Sequence, residues 1–317
     1  MSEQRIRSLF DIQVNGFAGV DYQSNDLTEQ ALRCSVDALH RHQTQRIFLT
    51  LITDSIDNLC RKLERVETIR QVDEKVAETI CGYHIEGPYL STTSGYSGAH
   101  NPDFMHAPQL AEFELMQAAA NGNIRMVTLA PELPGAAEFI SAVTANQVRV
   151  SLGHTDASDH DIELAISLGA TLCTHLGNGI PQQLHRHNNV VQSLLADDRL
   201  IAFLIPDGIH LPPSTLKNFF RAKPPGKALF TTDCMAAAGA LPGSYRLADL
   251  TLEVGADGVV RQPGQDNFAG SSLTPDRGVD NVACWLGITH LRARELFSTE
   301  IAKLFDIELP YLELETF

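Results

Sequence analysis

Eight short β-rich runs recur along this chain, most of them giving way to a longer helical pattern, and this alternation limits the possible folds more than any other feature. The runs fall at 8–16, 46–53, 79–87, 124–132, 148–155, 171–178, 200–208 and 227–233. Helical periodicity covers 27–43, 56–72, 107–122, 135–147, 157–170 and 212–223, while a Gln/His/Asn-rich stretch after the sixth run reads as irregular. Strands separated by helices pair in parallel through right-handed crossovers. Eight such units predict a (β/α)8 TIM-type barrel; an open doubly wound sheet is the alternative. Residues 240–270 break the rhythm and read as a hairpin or loop insertion, after which helical patterns return at 276–287 and 291–304. With no low-complexity linker, residues 1–317 read as a single barrel domain.

Charge and composition remove several classes of function. A formal net charge of −15 opposes general binding to nucleic acid or an anionic membrane, which needs basic surface. No stretch approaches the length of a membrane span, and MSEQRIRSLF lacks the apolar core of a leader. The six cysteines form no C-x-x-C pair and read as free thiols, with Cys173 and Cys234 packing beside the site. The expectation is a cytoplasmic protein with neither nucleic acid nor membrane as a partner.

In such a barrel, reacting groups sit at the C-terminal ends of the strands. Those ends carry Asp11, Gln13 and Asn15, then His84 and Glu86, His154, His175, Asp207 and His210, and Asp233. Two histidines and one carboxylate form a catalytic zinc set that leaves a position for water. Glu86, His154 and His175 are the expected metal ligands, and Asp233 the expected general base. Plainer readings stand beside these: Glu86 as a turn carboxylate before Gly87-Pro88, Asp233 as an N-cap, and the histidines as solvated loop residues. Gln13 and Asn15 read as hydrogen-bonding groups at the barrel mouth, Asp207 as a turn cap, and His40 and His42 as solvated residues on a helix face.

The ordered set HIEGPYL, AHNPDF, SLGHTDAS, CTHLGNGIP, PDGIHL, TTDCMAAAG and FAGSSL resembles the amidohydrolase superfamily, and within it the N-acetylglucosamine-6-phosphate deacetylases. The resemblance runs from about residue 9 to about residue 306. It implies one divalent metal ion on Glu86, His154 and His175, with zinc ahead of iron(II) or another divalent ion. It implies that Asp233 activates water and protonates the leaving amine, and that His100 helps polarise the acetamide carbonyl. It places His210 on the sugar, the Asn178 and Gly179 backbone near sugar or phosphate, and Arg186 on the phosphate, in some members across a homodimer interface. Many amidohydrolases carry H-x-H on the first strand and hold two metals; Asp11-x-Gln13 here implies one. The implied reaction is deacetylation of an N-acetyl amino sugar, N-acetylglucosamine 6-phosphate first. An unphosphorylated N-acyl sugar or other small N-acyl compound is the alternative, and a non-catalytic sugar-binding barrel a minor one. The segment QQLHRHNNV departs from the usual Arg-Glu-Pro-Gly pattern. The β-rich segments that usually form a small accessory sandwich are expected to be largely missing.

Overall fold

The computed structural model describes residues 5–264 and 268–312. Eight parallel strands follow one another around a barrel: β1 (Leu9–Val14), β2 (Thr44–Ile52), β3 (Ile80–Glu86), β4 (Ile124–Leu129), β5 (Arg149–Leu152), β6 (Leu172–Cys173), β7 (Ile201–Leu204) and β8 (Ala228–Phe230). Each strand's neighbour in the sheet is its neighbour in sequence. A doubly wound sheet would reverse its order part-way, so the barrel reading holds. Both faces of these strands are covered, which explains their apolar runs: every residue of β1 is buried.

The seam between β1 and β8 closes differently from the other seven. One parallel bridge joins Val14 to Cys234, and Asn15 N–H donates to the Cys234 carbonyl at 2.8 Å. The rest of the closure belongs to the buried carboxylate of Asp11. It accepts hydrogen bonds from the Thr231 hydroxyl (2.5 Å), the Thr232 hydroxyl (2.5 Å), the Thr232 N–H (3.1 Å) and the Gln13 N–H (3.2 Å). Burial pushes its pKa up, against the pull of these donors.

The outer helices form where side-chain caps meet apolar stripes. Thr28 caps Glu29–Arg41 through the Ala31 N–H, and Leu32, Val36 and Leu39 turn inward. Ser55 caps Ile56–Val72 in the same way. The pattern at 291–304 splits into His290–Leu296 and Thr299–Phe305, where the Ser298 hydroxyl bonds back to the Arg294 carbonyl. The stretch read as irregular contains the helix Val190–Ala196, capped by Asn189. The sixth strand is much shorter than 171–178, because the backbone turns left-handed at His175 (φ 27°). His40 and His42 are not simply solvated: His40 bonds the Thr79 hydroxyl at 2.8 Å, and His42 lies 3.0 Å from the Asp276 carboxylate.

Residues 240–270 form more than a hairpin. Gly243–Leu247, Leu250–Val254 and Val260–Arg261 make a three-stranded antiparallel sheet. Its buried face, with Leu247, Leu252 and Val260, packs on Met235, Ala236, Ala237 and Ile52, a small second core at the barrel mouth. Near the termini, Ile6–Arg7 pairs with Tyr311–Leu312. Among the described residues no larger accessory sandwich is present. No described helix is long and apolar enough to cross a membrane.

Candidate active site and metal centre

The C-terminal ends of the strands open into a cavity of about 570 Å³. Beneath it the barrel interior is polar. The His84 ring is fully buried, its Nδ1 3.3 Å from the Thr50 hydroxyl and its Nε2 2.7 Å from that of Thr128. Thr128 continues to Thr174 (2.7 Å), and Thr174 to Ser151 (2.6 Å). Desolvation lowers the His84 pKa to about 4, so this floor is a neutral hydrogen-bonded layer.

Three donor atoms converge above that floor. Glu86 Oε1 lies 2.9 Å from His175 Nε2 and 3.4 Å from His154 Nε2, and the two nitrogens are 3.2 Å apart. All three residues are buried. A tetrahedral ion with ligand bonds of about 2.0–2.1 Å spaces its donors about 3.3 Å apart, so residue types and spacing both fit a divalent cation. Tautomers fit as well. The Tyr96 carbonyl is 2.7 Å from His154 Nδ1 and can only accept, so the proton sits on Nδ1 and Nε2 offers its lone pair. Burial alone would raise the Glu86 carboxyl, but the neighbouring imidazoles of His154 and His175 outweigh it and hold the group well below the usual range. Gln13 donates from Nε2 to Glu86 Oε2 at 3.0 Å, fixing the carboxylate from its other side. Gln13 therefore orients a candidate ligand, a more specific role than the general hydrogen bond at the barrel mouth expected of it.

The remaining expected residues take distinct places. Asp233 lines the cavity and accepts from Asn15 Nδ2 at 2.7 Å. Burial, followed by the charge of Glu86, raises its pKa to about 7, and a bound cation would oppose this. No helix starts at Asp233, so the N-cap alternative fails. The His100 ring packs on that of His154, with centroids 4.5 Å apart. His100 Nδ1 receives the Thr53 backbone N–H at 3.3 Å and lies 2.8 Å from the Thr53 hydroxyl. A backbone N–H can only donate, so His100 Nδ1 is the acceptor and its proton sits on Nε2. Desolvation, then His154, lowers its pKa to about 3, which keeps the ring neutral. Thr53 lies 47 positions before His100, too far for local sequence to link them.

Asn178 and Gly179 line the cavity, but both also serve the candidate ligands. Asn178 Nδ2 donates to the His175 carbonyl at 3.1 Å. Gly179 has φ +63°, and a Cβ there would meet His154 Nδ1 at 2.6 Å. Its smallness is thus required by the His154 ring. His210 lines the cavity, paired to Asp207 through Nδ1 at 2.6 Å. Arg186 is exposed and apart from the lining, and among the described residues no Lys or Arg lines the cavity. Cys173 and Cys234 are buried and do not belong to the Glu86–His154–His175 group.

No family model matches the chain. The bovine (Bos taurus) N-acetylglucosamine-6-phosphate deacetylase is 32% identical over 308 residues, covering 94% of this chain and 73% of the relative. The chain belongs to the N-acetylglucosamine-6-phosphate deacetylase family. An N-acetylgalactosamine-6-phosphate deacetylase of Escherichia coli O157:H7 is 29% identical over 302 residues, covering 94% of this chain and 77% of that one. Among solved structures, a mutant of the Mycobacterium smegmatis N-acetyl-D-glucosamine-6-phosphate deacetylase, in complex with N-acetyl-D-glucosamine-6-phosphate, superposes with a TM-score of 0.86 at 30% identity. That likeness covers 97% of this chain and 79% of the other. Members of this family are metal-dependent amide hydrolases, and the Glu86–His154–His175 cluster is where this chain could bind a divalent ion.

Proposed function

We propose that this chain hydrolyses the acetamide of an N-acetyl amino sugar, with N-acetylglucosamine 6-phosphate the first substrate, using one divalent ion on Glu86, His154 and His175. The observation that carries the reading is the convergence of those three donors in the same cavity as Asp233 and His100. When bound, the cation supplies Lewis acidity; zinc comes first, ahead of iron(II) or another divalent ion. Asp233 takes a proton from the attacking water and returns it to the amine nitrogen as the C–N bond breaks. His100 donates its Nε2–H to the carbonyl oxygen as negative charge builds there. Asn15 holds the Asp233 carboxylate in place through Nδ2. His210 contacts the sugar, and Asn178 and Gly179 bring backbone to the sugar or phosphate end.

Arg186 is the proposed phosphate ligand. Its exposure outside the cavity supports service to a second copy in a homodimer. Six unpaired cysteines support a reducing, cytoplasmic setting. One observation favours a second reading, an unphosphorylated N-acyl sugar: among the described residues no Lys or Arg lines the cavity.

The test is acetate release by zinc-loaded protein from N-acetylglucosamine 6-phosphate, beside N-acetylglucosamine and the epimer N-acetylgalactosamine 6-phosphate, with Asp233→Asn as control. Turnover of N-acetylglucosamine 6-phosphate, lost in the control, is expected. Turnover of the unphosphorylated sugar alone would favour the second reading, and no turnover of any sugar would overturn the substrate class.

A further inference from the structure

The segment PDGIHL folds into a turn that the metal centre does not use. Its Asp207 carboxylate divides its work between its two oxygens. Oδ1 accepts the backbone N–H groups of Ile209 and His210, both at 2.8 Å. Oδ2 faces His210 Nδ1 at 2.6 Å. Both side chains are nearly buried, with exposures of 8% for His210 and 6% for Asp207. The turn is pinned from outside the barrel, where Asn281 Nδ2, on the helix Pro275–Leu286, donates to the Pro206 carbonyl at 2.9 Å. The Phe268 ring lies against the His210 ring, with centroids 5.4 Å apart. Among the described residues, His210 Nε2 makes no hydrogen bond, and His210 lines the cavity.

We propose that Asp207 is a positioning residue that fixes His210 as the Nδ1–H tautomer, so that Nε2 is a hydrogen-bond acceptor and selects a hydroxyl group on the bound sugar. A carboxylate on Nδ1 takes the proton of a neutral imidazole to that nitrogen. The Nε2 lone pair then complements a donor. A phosphate oxygen, itself an acceptor, is the wrong partner for it. Burial alone would raise the Asp207 carboxyl, but His210 and the two backbone donors outweigh it and hold it below the usual value, so the group stays ionised. This inference rests on the sugar-deacetylase reading for the identity of the ligand, but not for the tautomer.

The geometry specifies an unusual variant. In Asp207→Asn, the two backbone N–H groups bind Oδ1 and hold the amide oxygen there. The amide nitrogen is then left facing His210 Nδ1 as a donor. The turn survives and the tautomer inverts, leaving Nε2–H toward the sugar.

Nitrogen-15 NMR of the imidazoles, at a pH where the ring is neutral, reads the tautomer without any turnover. The wild type is expected to carry the Nδ1 proton and Asp207→Asn the Nε2 proton. Steady-state kinetics on N-acetylglucosamine 6-phosphate then read the consequence. Asp207→Asn is expected to raise KM about tenfold or more with kcat nearly unchanged, matching the effect of a lost hydrogen bond to a substrate hydroxyl. The double variant Asp207→Asn/His210→Ala should be no worse than His210→Ala alone, since asparagine keeps the backbone bonds of the turn and the substitution acts only through that ring. An Nε2–H tautomer in the wild type overturns the proposal. So does an additive double variant, or an inverted tautomer with unchanged KM. If the wild type turns over no amino sugar, the deacetylase reading fails, and the NMR result still decides the Asp207–His210 pairing.

Discussion

Replacing Asp11 with alanine tests how the barrel is closed. The carboxylate is fully buried and collects four donors, of which the Thr232 and Gln13 N–H groups are backbone and cannot turn away. The Thr232 hydroxyl is also constrained, because it accepts the Cys234 N–H at 3.2 Å while donating to Asp11. Each buried donor left without an acceptor costs about 1–3 kcal/mol. No longer burying a carboxylate returns several kcal/mol. The net expectation is a loss of about 3–5 kcal/mol, as for removing one partner from a buried charged network. Asp11→Asn does not escape the penalty. Oδ1 faces the Gln13 N–H and Oδ2 the Thr232 N–H, so in either orientation the amide nitrogen meets a fixed backbone donor. The assay is urea unfolding of metal-free protein, which keeps metal binding out of the comparison, with the denaturant slope checked for constancy. An Asp11→Ala protein within about 1 kcal/mol of wild type would refute the seam argument, given the magnitude per donor. An Asp11→Asn protein more stable than wild type would mean that desolvation of the charge outweighs its hydrogen bonds.

Three further outcomes follow from the site. Gly179→Ala places a Cβ 2.6 Å from His154 Nδ1 and displaces that ring from the Tyr96 carbonyl, so competition with a chelator should show metal affinity about 10–100-fold weaker; unchanged affinity would mean the ring is held by other contacts. Adding metal at a thousandfold excess over its dissociation constant should stabilise the folded protein by about 4 kcal/mol, and the thermal shift should vanish on chelation and in Glu86→Gln; a shift retained in Glu86→Gln would place the ion elsewhere. Arg186→Ala should raise KM about tenfold or more for the phosphorylated sugar and leave an unphosphorylated sugar unaffected, because a charge-assisted contact is worth about 1.5–3 kcal/mol; equal effects on both would remove Arg186 from the phosphate.

Most of the barrel was legible because parallel strands covered on both faces must be apolar throughout, and runs such as RIFLTLIT satisfy that constraint visibly. Helix Ile56–Val72 was legible to its ends, through the Ser55 cap and its apolar spacing. Helix Val190–Ala196 was hidden by its brevity and by the polar HRHNN beside it. The three-stranded sheet at 243–261 was hidden because its apolar face is only half a residue pattern until Met235 and Ile52 are brought against it. At the candidate site, the positions of Glu86, His154, His175 and Asp233 could be read from strand ends, while the contacts that orient these and the other proposed side chains could not. Thr53 for His100, Tyr96 for His154 and Gln13 for Glu86 are linked to their partners across 47, 58 and 73 positions, and no local pattern joins them.

One property of the site ties its backbone to its chemistry. His154, His175 and Asp233 each stand just beyond a strand end with left-handed φ values of 51°, 27° and 50°. Such conformations cost residues with a Cβ about 1–3 kcal/mol each, and glycine would relieve them. At Glu86 the side chain belongs to the strand itself, and the left-handed turn falls on the next residue, Gly87 (φ +84°), where glycine is used. A Cβ at Gly87 would also collide with the Thr53 hydroxyl, which holds His100. Other non-glycine residues also take left-handed φ, among them Ala18, Gln43, Asn121 and Gln147, but at His154, His175 and Asp233 the strained positions present an imidazole or a carboxylate to one cavity. Glycine would relieve His154, His175 and Asp233 at those positions, and it is the convergence of three such residues on one cavity, not the left-handed φ alone, that sets the candidate site apart.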